Sequence, residues 1–434
     1  MASGPAVADT WERRDESLAH GVLSLAARAL PEDSGIELAL AGDAQRHDAL
    51  ARVVFVSTAA LGRALWPPTP DGLGDAYLRG DFDIEGDIAA VARAGKSFDL
   101  GRLGLTDGAA LLSAALRLRS GDAPARPLTH RVHLAGPRHS ITRDREAVQF
   151  HYDVGNSFYA LWLDQRMTYS CAHFASPAVE LDAAQEAKLD LVCRKLALRP
   201  GQRLLDIGCG WGSLIVYAAE RYGVEATGVT LSEEQARVAA DRAREHRVAG
   251  HVRALVLDYR QLDDLGSFDA VASIGMFEHV GRAMLPTYFA AAHRSLRPGG
   301  FFLNHGIAVP APPARHRPTL HLGAGFISTR IFPDGELVTV TDAVTQAERA
   351  GFELVHAESL RPHYALTLAH WVRRLEAARE QACSLVSEEV YRAWHLYLAG
   401  SRVGFERGEL DVSQLLLQRR PTDGSVPRPL QPWW

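Results

Sequence analysis

The chain has 434 residues, of which 47% are hydrophobic and 23% charged, so it is long enough to form two domains with substantial cores. Its formal net charge of −5 at pH 7 provides no overall attraction to nucleic acid or to an anionic membrane, so we expect no nucleic-acid partner. The four cysteines form no CxxC pair, which argues against a disulfide framework and a structural zinc site and favours a reducing cytoplasm. The N-terminus has no signal-peptide pattern, and no apolar run reaches the roughly 18 residues that a membrane span needs.

The N-terminal part of the chain mixes helical patterns with short apolar strands, for example at residues 35–40 and 52–56. A polar, proline-containing stretch at residues 120–127 follows and is typical of a linker. We therefore predict a smaller mixed α+β domain over residues 1–127 and a second domain over residues 128–425.

The most specific local motif is a glycine-rich loop at residues 204–212. Two leucines, Asp206 and an isoleucine end a predicted buried strand, and Gly208 and Gly210 lie in the turn towards a helix. Glycine at such positions lets a nucleoside ligand lie against the backbone. The pattern differs from GxGxxG and lacks the Lys-Ser/Thr pair of a triphosphate loop. It resembles the S-adenosylmethionine (SAM) loop of Rossmann-type methyltransferases.

Beyond this loop the pattern alternates between helix and strand. Ser232 and Gln235 form a capping box that predicts the start of a helix. This alternation predicts an α/β fold with a parallel sheet, whose ligand lies at the carboxyl ends of the strands. Thr230, Tyr259 and Glu278 fall at or just past such ends. The predicted strands are residues 225–230, 252–257, 268–274 and 301–304, with helices at 213–221 and 232–246 and a turn at 296–300.

Two later segments depart from this alternation. Residues 306–340 contain a cluster of prolines, which predicts an insertion over the active face. Residues 426–434 are rich in proline and tryptophan, and we expect a flexible tail there.

Several motifs follow one another in a fixed order along the chain. They are HYDVGNSFY at residues 151–159, MTYSCA at 167–172, SIGMFEHVG at 273–281, NHGI at 304–307, IFPDGEL at 331–337 and PHY at 362–364. With the glycine loop, this series closely resembles the cyclopropane-fatty-acyl-phospholipid synthase family, which includes the mycolic acid cyclopropane synthases. The resemblance covers about residues 140–420 and implies a Rossmann-like, SAM-dependent methyltransferase domain. Residues 73–83 resemble the accessory domain of the longer bacterial phospholipid enzymes.

The resemblance implies a reaction on the cis double bond of an unsaturated phospholipid acyl chain. The double bond attacks the SAM methyl group, and loss of a proton from that methyl closes a cyclopropane ring. Members of this family use bound bicarbonate as the base. An anion needs hydrogen-bond donors, and burial raises the pKa of a carboxyl, so that Glu278 can donate in its protonated form. The resemblance places five groups around the anion: Cys171, Glu278, His305, the backbone of Ile307 and Tyr364.

The resemblance also assigns the residues of the SAM site. Tyr169 and Ser170 lie at the methionine end, where Asp206 supports the loop or the methionine amine. Because the second strand ends in Gly-Val-Thr rather than in an acid, the neutral side chains of Thr230 and Gln235 take the ribose. The remaining contacts are the loop residues Gly208, Cys209 and Gly210 and, beside the adenine, Tyr259. No metal site is expected.

Each proposed reactive residue also has a plainer structural interpretation. Cys171 could be a small buried hydrophobe, and His305 could cap the end of its strand. Tyr364 could be a core phenol with a single partner. Either Glu278 or His279 could be the chemical partner, and the family pattern selects Glu278.

Three other functions remain open from the sequence. A fatty-acyl C-methyltransferase would use the same attack and the same residues, but would leave a methyl-branched chain. A small-molecule methyltransferase would need a general base and no anion site. A noncatalytic lipid-binding protein would have no need of an intact SAM loop.

The expected partners follow from the resemblance. We expect peripheral docking on the inner leaflet of the membrane, through the insertion at residues 306–340 and the basic residues Arg315, His316, Arg317 and Arg330. The N-terminal domain is expected to present the lipid or to form a homodimer.

Overall fold

The computed structural model describes residues 8–45, 48–66, 69–119, 126–311, 324–421, 423 and 431–434. The chain divides into two compact units. The first unit contains Met1–Arg131, Thr319–Ile331 and Val386–Val403, and the second contains Val132–Pro318, Phe332–Leu385 and Gly404–Trp434. The predicted boundary at residue 127 lies close to the end of the first segment, whereas the two later segments of the first unit come from the region assigned to the second domain.

Helices and strands alternate along much of the chain. The described residues up to 131 form α1 (Ala8–Arg28), β1 (Ile36–Leu40), β2 (Ala51–Phe55), α2 (Thr58–Ala64), α3 (Pro70–Arg79), β3 (Phe82–Gly86), α4 (Ile88–Lys96) and α5 (Leu105–Arg119). The next part forms α6 (Ile141–Tyr152), α7 (Asn156–Ala160), α8 (Leu181–Lys195), β4 (Arg203–Ile207), α9 (Ser213–Tyr222), β5 (Glu225–Thr230), α10 (Glu233–Glu245), β6 (Val252–Val256), β7 (Phe268–Ile274), α11 (Leu285–Ser295) and β8 (Leu296–Ala308). The last part forms α12 (Ala324–Arg330), α13 (Val340–Arg349), β9 (Phe352–Ser359), α14 (Arg361–Ala377), α15 (Arg379–Leu385), α16 (Glu388–Glu406) and β10 (Asp411–Arg419).

The first unit contains a small sheet in which β1 pairs parallel with β2, and β2 pairs antiparallel with β3. Local sequence explains its helix boundaries. The Thr69 hydroxyl accepts a hydrogen bond from Gly72 N (3.0 Å) at the start of α3, and Gly80, with a φ of +77°, ends that helix.

Segments distant in sequence complete this unit. In α16, Arg392 donates to the carbonyl of Phe82 (3.0 Å), and His395 shares a hydrogen bond with the Tyr77 hydroxyl (2.9 Å). These groups are buried. Removal of residues 1–127 would therefore remove the Phe82 and Tyr77 partners of these α16 side chains, which is destabilising.

The predicted insertion is described only in part. Residues 312–323, and with them Arg315, His316 and Arg317, lie outside the described residues. Arg330 is only 3% exposed and forms ion pairs with Asp75 and Glu389. The expectation that Arg330 is a surface charge for membrane docking is wrong, because its guanidinium is enclosed by these carboxylates.

The second unit is built on a sheet with the strand order β6-β5-β4-β7-β8-β10-β9. Strands β4 to β8 are parallel, and β10 runs antiparallel to both of its neighbours. The chain proceeds outward from β4 through β5 to β6 and then returns to β7 on the other side of β4. In a sheet of this kind the ligand crevice lies where the strand order reverses. The predicted α/β, Rossmann-like fold class is confirmed.

The structure refines the predicted elements. Strands β5 and β7 have the predicted bounds, and α10 begins where Ser232 Oγ accepts a hydrogen bond from Gln235 N (3.2 Å). The predicted turn at residues 296–300 instead lies inside β8, where the pairing with β7 changes register between Phe268 and Ala270. Strands β9 and β10 lay outside the predicted elements, because their pairing links segments that are distant in sequence.

The C-terminal residues contact the second unit. In the predicted flexible tail, residues 431–434 are described, and both tryptophans pack against the core on the α8 and α9 side of the sheet. Trp433 contacts the ring of Phe301 at 5.2 Å, and its Nε1 donates to the carbonyl of Arg194 (3.1 Å). Trp434 packs on His356 at 5.1 Å. Apolar burial therefore anchors these two side chains.

Neither a membrane span nor a metal cluster occurs in the described part of the chain. Among those residues, no helix is both long enough and apolar enough to cross a membrane. Over the same ranges, His, Cys, Asp and Glu side chains form no group of three or more that could hold a metal ion.

Candidate active site

The glycine loop after β4 adopts a backbone conformation that favours glycine. Gly208 has a φ of +87° and Gly210 a φ of +52°. A Cβ on Gly208 would lie 2.7 Å from the Cβ of Met276, whereas a Cβ on Gly210 would project into open space. Gly210 therefore leaves room for a ligand beside the backbone at the N-terminus of α9.

A pocket lies at the carboxyl ends of the central parallel strands, and the loop forms part of its wall. The structure brings all the residues that the resemblance assigned to SAM into this wall: Tyr169, Ser170, Asp206, Gly208, Cys209, Gly210, Thr230, Gln235 and Tyr259. Residues that the sequence analysis did not assign complete it, among them Lys188, Trp211, Asp258 and Met276.

The side of the pocket after β5 carries neutral hydrogen-bonding groups. Thr230 Oγ1 donates to Gln235 Oε1 (2.7 Å) and accepts a hydrogen bond from Ser232 N (3.2 Å). Gln235 is 3% exposed, and its Nε2 has no hydrogen-bond partner among the described residues. An amide nitrogen only donates, so this group is suited to a ligand oxygen such as a ribose hydroxyl.

Helix α8 holds the segment that carries Tyr169 and Ser170. Gln185 Nε2 donates to the carbonyls of Thr168 (3.2 Å) and Ser170 (2.8 Å). One turn further on, Lys188 Nζ donates to Ser170 Oγ (2.8 Å). The backbone of this segment is thereby fixed against the pocket.

Lys188 is a site residue that the sequence analysis missed. It is 1% exposed, and burial lowers its pKa to about 8. Its ammonium opposes the effect of burial on Asp206, whose pKa burial raises to about 7. Asp206 Oδ1 has no partner among the described residues and can accept a hydrogen bond from a ligand. The available signal was the helical spacing of Lys188 with Leu181 and Val192, which together form a buried side of α8.

Glu278 and Ile307 form the centre of a second cluster. Glu278 lies in a short 3-10 helix after β7, and its Oε1 accepts a hydrogen bond from Ile307 N (2.7 Å) at the end of β8. The other oxygen, Oε2, has no partner among the described residues. Burial raises the pKa of Glu278 to about 7, so protonated and ionised forms coexist near neutral pH.

His305 lies two residues before Ile307 in β8 and is 1% exposed. Its Nδ1 contacts Gln414 Nε2 (3.1 Å), and its Nε2 has no partner among the described residues. Burial lowers the pKa of His305 well below its usual value, and the charges of Lys188 and Lys195 lower it further. The imidazole is therefore neutral at physiological pH.

Cys171 and Tyr364 lie where the segment that carries Tyr169 packs against α14. The Cys171 thiol is fully buried and donates to the carbonyl of Ala172 (3.2 Å). Burial raises the pKa of Cys171 far above its usual value, so the thiol is neutral and not a nucleophile. The Tyr364 ring packs on Trp371 (5.9 Å), which in turn packs on Tyr169 (5.3 Å).

Lys188 connects the second cluster to the pocket. It lines the pocket, and its charge acts on the pKa of both Cys171 and His305. His279, the sequence alternative to Glu278, also lines the pocket, but its ring stacks on Phe332 at 4.1 Å and burial lowers its pKa to about 3. A neutral imidazole that stacks on a phenylalanine ring is suited to packing, so His279 is a structural residue of the pocket wall.

The raised pKa of Glu278 makes stability depend on pH. Below its ordinary value of 4.5 this carboxyl is protonated in both folded and unfolded chains, and between pH 4.5 and about 7 only the folded chain keeps the proton. The folded state therefore loses stability as pH rises through this window, by at most about 3 kcal/mol. We expect the free energy of unfolding of Glu278→Gln, measured by urea denaturation, to exceed that of the wild type at pH 8. At pH 5 we expect the two values to differ little. The exposed Glu245→Gln should show no such difference, and an equal effect of Glu278→Gln at both pH values would contradict the expectation.

The sheet, the glycine loop and the pocket at the reversal of strand order together define a class. They are the features of a SAM-dependent methyltransferase with a Rossmann-like fold.

Comparison with known proteins agrees with this class. The mycolic acid cyclopropane synthetase family model matches residues 139–415. A probable fatty acid methyltransferase of Pseudomonas putida is 39% identical over 374 residues, which cover 86% of this chain and 88% of that protein. Cyclopropane mycolic acid synthase 1 of Mycobacterium tuberculosis is 39% identical over 278 residues, which cover 63% of this chain and 96% of that protein. The crystal structure of mycolic acid cyclopropane synthase CmaA1 complexed with SAH and CTAB is 38% identical, with a TM-score of 0.60, and the match covers 63% of this chain and 98% of that one.

The chain therefore belongs to the mycolic acid cyclopropane synthetase family, and it is a SAM-dependent methyltransferase.

Proposed function

We propose that this protein uses SAM to convert the cis double bond of an unsaturated phospholipid acyl chain into a cyclopropane, with bicarbonate as the base. The proposal is supported by two buried polar atoms, Glu278 Oε2 and His305 Nε2, which both have no partner among the described residues. A methyltransferase that acts on an exposed amine or hydroxyl has no need of buried, unpaired groups of this kind.

These two polar atoms have the hydrogen-bonding chemistry that a small anion requires. Neutral His305 can donate from Nε2 and protonated Glu278 can donate from Oε2, since the pKa of Glu278 is about 7. The Ile307 N–H, which the resemblance assigns to the anion, donates to Glu278 Oε1 in this structure. Bicarbonate, when bound, supplies a base for the proton that is lost on ring closure.

The residues of the chain have separable roles in this proposal. SAM, when bound, supplies an electrophilic methyl group, and the Tyr169 segment and the glycine loop orient it. Glu278 and His305 hold the anion beside the reacting carbons. The Cys171 thiol and the Tyr364 phenol add a polar lining to a site that otherwise excludes water, which protects a carbocation from hydrolysis.

A second candidate function is methylation of a fatty acyl chain without ring closure. The match to the probable fatty acid methyltransferase favours it, because that match extends over 86% of this chain and includes part of the first unit. The same residues would serve both reactions, since the attack of the double bond on the methyl group is common to them.

Expression in a bacterium that lacks cyclopropane lipids, followed by mass analysis of its fatty acids, separates the two candidates. We expect a new species heavier by one CH₂ that resists mild hydrogenation, because a cyclopropane is not reduced under conditions that saturate alkenes. A species heavier by one CH₂ that takes up hydrogen would support the alternative. Absence of any heavier species, with soluble protein present, would contradict both.

We also propose that the protein docks peripherally on the cytoplasmic face of the membrane, because its substrate chain belongs to a bilayer lipid. The first unit, in this proposal, presents the lipid or forms a homodimer. In vesicle sedimentation with unsaturated and anionic phospholipid, we expect the protein to be recovered reversibly with the vesicles. We expect added salt to reduce this recovery. Recovery of no protein with vesicles at low salt would contradict the docking proposal.

A further inference from the structure

A row of side chains crosses three strands of the large sheet and ends at His305. In the pairing register, Gln414 of β10 lies opposite His305 of β8 on one side and opposite Glu358 of β9 on the other. Lys195, at the end of α8, contacts this row: its Nζ donates to Gln414 Oε1 (2.7 Å) and to Glu358 Oε2 (2.5 Å). Gln414 and Lys195 are both completely buried.

The ammonium determines which way the Gln414 amide faces. An ammonium has only donors, so the Gln414 atom that it contacts is the carbonyl oxygen. The amide nitrogen then faces His305 Nδ1 at 3.1 Å. Because an amide nitrogen also only donates, Nδ1 must be the acceptor, and the proton of the neutral imidazole lies on Nε2.

Lys195 is itself held in place. Glu358 pairs with it from the partly exposed end of the row, where the carboxylate is 36% exposed. The Trp434 ring lies 5.8 Å from Nζ, in the range of a cation–π contact. These contacts compensate in part for the burial of an ammonium.

We propose that Lys195 and Gln414 are positioning residues that fix His305 as its Nε2–H tautomer, and so make it a hydrogen-bond donor towards the anion of the second cluster. This inference rests on the proposed function for its catalytic consequence. The tautomer itself follows from the contacts alone. In the other tautomer, Nε2 would present a lone pair to an anion and repel it.

The isosteric variant Gln414→Glu tests the proposal. A carboxylate at this position still pairs with Lys195 but can only accept, so it favours a proton on Nδ1 and leaves Nε2 bare. Two-bond ¹H–¹⁵N spectra of protein labelled with ¹⁵N-histidine report which ring nitrogen carries the proton, and His305→Gln assigns the signal among the 18 histidines. At pH 8 we expect Nε2–H in the wild type and Nδ1–H in Gln414→Glu. We expect the turnover number of the variant to fall by about ten- to a hundredfold, with unchanged SAM affinity.

Gln418→Glu is the matched control. Gln418 lies on the same strand and is 6% exposed, and its Nε2 donates to the carbonyl of Gly299 (3.1 Å). We expect this variant to keep the wild-type His305 signal. In Lys195→Met the Gln414 amide is free to rotate, and we expect signals from both tautomers.

The outcomes separate this inference from the proposed function. Once His305→Gln has assigned the signal, a wild-type His305 with its proton on Nδ1 overturns the inference even if the Gln414 and Lys195 variants do not fold. A proton that stays on Nε2 in Gln414→Glu, or a moved proton with unchanged turnover, overturns it as well. The spectra do not depend on which acyl product forms, so failure to detect a cyclopropane lipid would contradict the proposed function and leave the tautomer assignment standing.

Discussion

Glu278→Gln is expected to lower the rate of acyl-chain methylation by about a hundredfold or more, while SAM affinity stays within about twofold of the wild type. The glutamine carbonyl can still accept the hydrogen bond from Ile307 N, so the local backbone is preserved. The variant loses the carboxyl whose pKa of about 7 lets it exchange a proton near neutral pH. Glu278 also lies outside the wall of the SAM pocket, so cofactor binding should not change.

The measurement uses transfer of a labelled methyl group from SAM to vesicles of an unsaturated phospholipid, with calorimetry for SAM affinity. The exposed Glu245→Gln serves as the control and should retain full activity. We further expect removal of carbonate from the buffer to slow the wild type more than it slows Glu278→Gln, because the variant already lacks one contact to the anion. Full wild-type activity in carbonate-free buffer would argue against bicarbonate as the base.

Gly210→Val is expected to weaken SAM binding by about ten- to a hundredfold, since the added methyl groups would occupy the ligand's space beside the loop. Gly210 lines the pocket, and a Cβ there meets no protein atom within 4 Å. The loss of SAM affinity should therefore come from contact between the valine and the ligand, and not from a clash within the protein. Calorimetry with SAM measures it directly.

Part of any effect of a valine at this position comes from strain, because the φ of Gly210 is +52° and β-branched residues rarely adopt such values. Gly201→Val is the matched control. Its φ is +79°, a Cβ there also meets open space, and it lies before β4 at the opposite end of that strand. If both variants lose the same stability and Gly210→Val keeps wild-type SAM affinity, the assignment of the loop to the cofactor would be wrong.

Local patterns were sufficient to predict several elements of the parallel part of the large sheet. Strand bounds at β5 and β7 and the start of α10 follow from alternation of apolar residues and from the capping box at Ser232, which depend on neighbouring residues only. The wall of the SAM pocket could be assigned in part for a related reason. Thr230 and Tyr259 follow parallel strands, whose carboxyl ends share one edge of the sheet, whereas the resemblance to the family supplied Tyr169 and Ser170.

Other features were beyond the reach of a local pattern. The spacing of Lys188 with Leu181 and Val192 indicates one side of α8, but complete burial of the lysine depends on what that side packs against, which the sequence of α8 does not determine. Arg330 was predicted to be a surface charge for the same reason, although Asp75 and Glu389 enclose it. The division of the chain into units likewise includes segments that are separated by long stretches of sequence.

The sequence by itself determined the fold class and the SAM loop, and its family motifs predicted the reactive side chains, because glycine spacing, apolar periodicity and short motifs are properties of contiguous residues. Only the tertiary structure decided the burial, the pKa values and the proton positions of those side chains. The burial that raises the pKa of Glu278 requires β7 and β8 to be adjacent. The proton position inferred for His305 requires Gln414 and Glu358 to share its row across β8, β10 and β9, and such a register is set by long-range pairing.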